Sequence, residues 1–267
     1  MTGIRFQLFA TFACVVALLV AGATPAFGHS AGTSYARSAL IHVPGKALNS
    51  FDIGWVDPTS QTYYLADRSN AAIDIVNAKT NTFVRRVTGF AGFHGSNDTA
   101  GPNGIVVVHP LHELWAGDGN STVKVIDLQT DTVVASISTG GAQRADELAY
   151  DQKDGMIVVA NDAEDVPFVT FIDVRSRTVL GHLAFPDATN GLEQPVWDPV
   201  THFFYLSIPQ LGANPMHGGI AVIDPRTRSL VTIHAVSSCQ PAGLALGPDQ
   251  QLLLGCSADA IQAGAHA

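Results

Sequence analysis

The side chains of this chain best suited to chemistry are oxygen donors, and they fall in short polar runs between apolar ones. His94, Asn103, Asp118, Arg144, Asp146, Glu147, Asp162 and Glu193 all stand in such runs. Carboxylate and amide oxygens that converge on one point can hold a hard cation such as Ca2+ or Mg2+, with water filling the remaining positions. Asn103, Glu147 and Glu193 are the candidate metal set. A carboxylate beside them can act as general base where burial or a like charge lifts its pKa, and Asp146 or Glu147 would take that role. Without catalysis, His94, Asn103, Asp118, Arg144 and Asp162 form a mixed set of donors and acceptors for a bound small molecule, peptide or protein partner. The same residue types also form turns and caps beside water, and the sequence leaves these alternatives open. Gly-x-Ser-x-Gly, P-loop, HExxH and CxxCH motifs are absent. His94, His109, His112 and His217 show no tight ligand spacing, so a transition-metal site is the weaker reading.

Scattered donors become a site only if the elements between them bring them together. A strand-and-turn phrase recurs: Ile75-Val76-Asn77, then Val125-Ile126-Asp127, Phe171-Ile172-Asp173 and Val222-Ile223-Asp224. Its Asn or Asp recurs at intervals of 50, 46 and 51 residues, and a repeat at that period must be found before any other fold reading. Around each phrase lie four short apolar runs, split by turn-formers, named A to D in order. Proline ends run A at Asp57-Pro58, His109-Pro110, Asp198-Pro199 and Gly247-Pro248, because it fixes φ and cannot donate to a ladder. Between C and D, Asn77, Asp127, Asp173 and Asp224 can accept from the backbone two residues on and nucleate the turn. Asp127, Asp173 and Asp224 are therefore assigned to structure.

The prediction is an all-β chain: a β-propeller of four-stranded antiparallel blades, about four and a half of them, over residues 50–256. A irregular tail is expected over 257–267 and a leader of little pattern over 29–49. In such an architecture run A lines a central channel, while the B–C loops and D–A connections share one face. That sorting gathers the acids and amides there, and loops held by a rigid scaffold are where function concentrates. Trp55, Trp115 and Trp197 are expected to pack between blades.

At 46% apolar and 14% charged residues, the composition is that of a chain that packs a core. Residues 1–28 differ: Arg5 is the only charge, Phe9 to Ala23 is an apolar run, and Ala26-Phe27-Gly28 supplies small residues for cleavage. They read as a secretory signal, which implies a secreted or periplasmic protein with no membrane span after cleavage. Without Arg5, 13 basic side chains face 23 acidic ones, a net charge of −10. That balance repels phosphate backbones, so nucleic acid is not an expected partner. Cys14 leaves with the signal, whereas Cys239 and Cys256 fall at the same end of one predicted hairpin, where an oxidising compartment favours a disulfide.

The V-I-D-x-x-T phrase, the x-Pro turns, Pro102-Asn103-Gly104-Ile105 and the run Pro241 to Asp249 together resemble the YVTN-type (YncE-like) secreted propellers. The resemblance covers about Ser50 to Cys256. It implies a fold more than an activity, because one architecture hosts many functions. Propellers of that type usually have seven blades, so the resemblance implies a C-terminally truncated one. The first functional expectation is a binding or scaffold protein that uses its loop-rich face. The rival expectation comes from gluconolactonase-type propellers, which the acid and amide set resembles: a metal-dependent hydrolase with Asn103 and Glu193 as ligands and Asp146 or Glu147 as base.

Overall fold

The structure, a computed structural model, describes residues 36, 37 and 39–262. The proposed signal, residues 29–35 and 38 of the leader, and residues 263–267 lie outside that range. Strands β1 (Gly54–Asp57), β2 (Thr62–Asp67), β3 (Ala72–Asn77) and β4 (Thr82–Thr88) make one antiparallel sheet in sequence order. The second sheet contains β5 (Ile105–Val108), β6 (Glu113–Asp118), β7 (Thr122–Asp127) and β8 (Thr132–Ser138). The third contains β9 (Leu148–Asp151), β10 (Met156–Asn161), β11 (Phe168–Asp173) and β12 (Thr178–Ala184). The fourth contains β13 (Pro195–Asp198), β14 (Phe203–Ile208), β15 (His217–Asp224) and β16 (Ser229–Ser237). A two-stranded sheet, β17 (Pro241–Leu246) with β18 (Leu252–Cys256), follows. The first strands of successive sheets, β1, β5, β9, β13 and β17, lie side by side. The expected blade order and count are therefore observed among the described residues.

Each blade is closed by the same local chemistry. Asp127 Oδ1 accepts from the backbone N–H of Gln129 at 2.7 Å and of Thr130 at 2.9 Å. Asn77, Asp173 and Asp224 make the equivalent bonds. Four residues after each stands one with positive φ, namely Asn81, Asp131, Arg177 or Arg228, which reverses the chain into the fourth strand. Just before each turn the register slips by a bulge, between Ile75 and Val76, Val125 and Ile126, Phe171 and Ile172, and Val222 and Ile223. This repeated bulge adds local twist at the outer edge of every blade.

The core lies between blades and follows the two-residue strand period. Ile105 and Val107, with Leu114 of their own blade, face the first blade and meet Ile73 and Ile75. Their neighbours Val106 and Val108 face the third, with Trp115, Ile157 and Ile172. Phe171, Trp197, Phe204 and Leu206 fill the seam between the third and fourth. Trp115 and Trp197 pack as expected; Trp55 does not, being 36% exposed. It stands on the innermost strand of the first blade, opposite Tyr64, where it borders the open space along the axis.

One other expectation is corrected. The stretch 257–267 is not wholly irregular: Ala258–Gln262 forms one helical turn, α1. Ser257 caps it by accepting from the Ala260 N–H at 3.3 Å, and the alanines after it are good helix formers. The leader has no regular element over residues 39–49, and its end is tied to the first blade. Asn70 exchanges hydrogen bonds with the Lys46 backbone, and Ser69 Oγ accepts from the backbone N–H of Asn49 and Ser50 at 3.0 and 2.8 Å.

Cys239 and Cys256 form a disulfide, 17 residues apart in sequence, that staples β17 to β18. Cross-linking a loop of that length contributes about 3 kcal/mol. Full reduction, or Cys239→Ser with Cys256→Ser, is expected to lower the urea-unfolding free energy by roughly that amount. An unchanged midpoint would show that this hairpin is already open before the rest unfolds.

Candidate functional site

The loop-rich face carries a mesh of charged side chains held by the ends of three blades. Arg68 follows β2 and reaches across the axis, its Nε and Nη2 donating to Asn103 Oδ1 at 3.0 and 2.8 Å. The same guanidinium pairs with Asp52 and lies 3.8 Å from Asp146 Oδ1. Asn103 passes the connection on, donating from Nδ2 to the Ala145 carbonyl at 2.7 Å. Arg144 Nε donates to Asp146 Oδ2 at 2.9 Å and to Asp162 Oδ1 at 3.1 Å, and its Nη2 also pairs with Asp162. Asn103, Arg144, Asp146 and Asp162 are thus brought together as the sequence suggests.

Asp52 and Arg68 complete the mesh without having been singled out by their types, yet Asp52 had a positional signal. Asp52, Asn103, Asp146 and Glu193 each stand two residues before the first strand of their blade. The residues one place later, Ile53, Gly104, Glu147 and Gln194, turn instead to a cavity of about 690 Å3 along the axis. Its walls come from β1, β5, β9, β13 and β17, among them Trp55, Ile105, Leu148, Val196 and Leu244. At the far end Asp57 lies 3.3 Å from His109. Glu147 is the one carboxyl at the neck nearest the mesh, and Gly104 makes that neck possible. A Cβ on Gly104 would fall 2.5 Å from Glu147 Cα and 2.9 Å from the Asp146 carbonyl oxygen. Gly104→Ala must therefore push the second and third blades apart, and is expected to cost about 1–3 kcal/mol in urea unfolding. A neutral result would mean that this seam yields freely.

His94 and Asp118 are not part of the mesh. His94 is exposed, its Nε2 within hydrogen-bond distance of the Ala91 carbonyl at 2.7 Å. Asp118 is buried and accepts from the N–H groups of Ala91 and Gly119, both at 2.9 Å, which pins the connection between the first two blades.

No family profile matches the sequence, and no curated protein matches it. Among solved structures the chain superposes on hydrazine synthase of Kuenenia stuttgartiensis with a TM-score of 0.64 at 14% sequence identity. The match covers 83% of this chain and 59% of that one. The fold is a β-propeller. At that identity the likeness carries architecture alone, and this propeller spans about 59% of the length of the chain it matches.

Electrostatics at the propeller neck are dominated by burial. Desolvation, reinforced by Asp146, pushes Asp52 up to about 7 and Asp162 up to about 8. The same two causes take Glu193 to about 7. Glu147 is held well above the ordinary carboxylate range by burial, then by the charges of Asp146, Glu193, Asp52 and Asp162. Burial also works against the Arg144 charge, but Asp146 and Asp162 more than offset it and hold the guanidinium above its usual value. Two buried oxygens of the neck, Asp146 Oδ1 and Glu147 Oε2, have no hydrogen-bond partner.

The proposed metal set fits this geometry poorly. Asn103 Oδ1 already accepts twice from a guanidinium, and neither Asn103 nor Glu193 lines the cavity that Glu147 lines. Among the described residues no three His, Cys, Asp or Glu side chains gather closely enough to hold a metal ion. No metal-assisted step is therefore derived.

Proposed function

We propose that this propeller is a binding protein that holds a small molecule in its central cavity. The observation that carries this reading is the cavity itself. Its volume of about 690 Å3 lies within the range of small-molecule sites, roughly 300–1,000 Å3, and its walls are mainly apolar with a polar cluster at one end. The strands that form it belong to a hydrogen-bonded scaffold, so the site is preformed.

Two further properties belong to the proposal. The recurring phrases support kinship with the YVTN-type propellers. The bonded Cys239–Cys256 pair, with the apolar run at the start of the sequence, supports an oxidising extracytoplasmic compartment. Among the described residues no helix is long and apolar enough to cross a membrane.

A thermal-shift screen of amines, organic acids, alcohols and sugars at millimolar concentration tests the binding reading. At least one class is expected to raise the midpoint, because a ligand that binds only the folded state stabilises it by mass action. Trp55→Ala, which removes an exposed wall of the cavity, is expected to weaken that shift while leaving the unliganded midpoint within about 2 °C, as for other surface changes. No shift from any class would overturn the reading.

A further inference from the structure

The neck of the cavity is short of positive charge. Five carboxyl groups, Asp52, Asp146, Glu147, Asp162 and Glu193, act on one another there, while the mesh contains two guanidiniums. Arg68 is engaged by Asp52 and Asn103, and Arg144 by Asp146 and Asp162. Neither guanidinium donates to Glu147 Oε2, which is buried and unpartnered in a residue 6% exposed that lines the cavity. A buried acceptor without a donor is unfavourable in any state, and least so when a donor or cation is supplied to it. An anionic ligand would meet the carboxyl excess. Among the described residues a bare divalent ion would find no group of three His, Cys, Asp or Glu ligands. Further along, the wall is hydrocarbon, with the indole of Trp55 among its surfaces, and an indole face attracts cations as well as apolar groups.

We propose that the ligand of this cavity is an organic amine, its ammonium group donating to Glu147 at the neck and its hydrocarbon body lying along the apolar wall beside Trp55. This rests on the small-molecule binding reading above and names its ligand class. Binding must also be coupled to protons. Glu147 faces Asp146 on its own connection, Asp52 from the first blade, Asp162 from the loop after β10 and Glu193 from the fourth, with Arg68 and Arg144 behind them. An ammonium arriving there displaces protons that Asp52, Asp162 and Glu193 hold near neutral pH, so affinity rises between pH 6 and pH 8.

The test is calorimetry on the whole chain with three probes of one shape: hexylammonium, hexan-1-ol and hexanoate. At pH 8 hexylammonium is expected to bind at least about tenfold more tightly than hexanol, a difference worth about 1.4 kcal/mol, with hexanoate weakest. Its affinity should fall about tenfold or more at pH 6. Buffers of different ionisation enthalpy should reveal proton release. Glu147→Gln removes the charge at constant shape and should bring hexylammonium and hexanol to equal affinity, with a thermal midpoint at least as high as that of the parent. Equal binding of hexanol and hexylammonium by the parent chain would overturn the amine assignment and leave the cavity reading standing. Binding by none of the three would overturn both. A midpoint raised by 1 mM CaCl2 and not by hexylammonium would assign the neck to an inorganic cation instead.

Discussion

Replacing Arg144 by alanine is expected to lower the free energy of unfolding by about 3–5 kcal/mol at pH 8, the usual cost of removing one partner from a buried ion pair. Arg144 is shared by two carboxylates on different elements: Asp146, which leads into β9, and Asp162, which follows β10. Without it both carboxyls stay buried with no cation in reach except Arg68, whose nearest approach to Asp146 is 3.8 Å. The loss should be pH-dependent in a defined sense. At pH 5 Asp162, which burial and Asp146 push up to about 8, is protonated and no longer needs a counter-charge. The cost then shrinks towards that of the lost hydrogen bonds, about 1 kcal/mol each. Arg144→Lys keeps the charge but not the fork that serves two carboxylates, so an intermediate loss is expected. Arg226→Ala is the contrast: it breaks an exposed pair with Asp224 and should leave the urea midpoint almost unchanged. Urea titrations of the four proteins at pH 5 and pH 8 decide the matter. A loss at Arg144 that is small, or the same at both pH values, would mean that the mesh does not hold ionised carboxylates.

The blades were legible in the sequence because their signals are local. An apolar pair followed by Asn or Asp, whose side chain accepts from the backbone two or three residues on, favours a hairpin, and four copies at intervals of 46 to 51 residues leave little choice of architecture. The face that carries the polar residues followed from the same count. What could not be read was direction. Asp146 and Glu147 are neighbours of the same charge, yet a strand-like backbone sends successive side chains to opposite sides. One carboxyl therefore joins the arginine mesh and the other lines the cavity. Asn103 looks like a cation ligand until Arg68, 35 residues earlier, is found to occupy its oxygen. Asp52 was hidden because a single aspartate before a strand has many uses. Aligning the blades by the starts of their first strands, rather than by residue type, exposes it beside Asn103, Asp146 and Glu193. The bulges and the ordered end of the leader depend on contacts across the sheet, which no single stretch of sequence encodes.

The buried acids also set how the whole propeller responds to pH, and the response runs opposite to that of most proteins. Asp52, Asp162 and Glu193 have folded-state values of about 7, 8 and 7, against roughly 4 for unfolded carboxyls, and Glu147 lies well above its ordinary value. Between pH 4 and pH 8 the folded chain thus holds protons that the unfolded chain has released, and stability falls wherever that is so. The contribution of these groups is complete below about pH 4 and is lost as the pH rises through 7 to 8. Asp57, Asp127, Asp173 and Asp224, which accept turn hydrogen bonds and titrate below their ordinary value, act in the other direction and only below about pH 4. Maximum stability is therefore expected near pH 4–5. One carboxyl moved by about three units corresponds to roughly 4 kcal/mol, and the neck contains several that share their protons. A fall on the order of 4 kcal/mol between pH 5 and pH 8 is a conservative expectation, equivalent to a melting midpoint about 10 °C lower in a chain of this size. Glu147→Gln should recover part of that fall at pH 8 and change little at pH 5, since at the lower pH the parent side chain is already neutral. A midpoint that climbs from pH 5 to pH 8 would require the neck carboxyls to be ionised and compensated in the folded chain, and the charge deficit that defines the site would be gone.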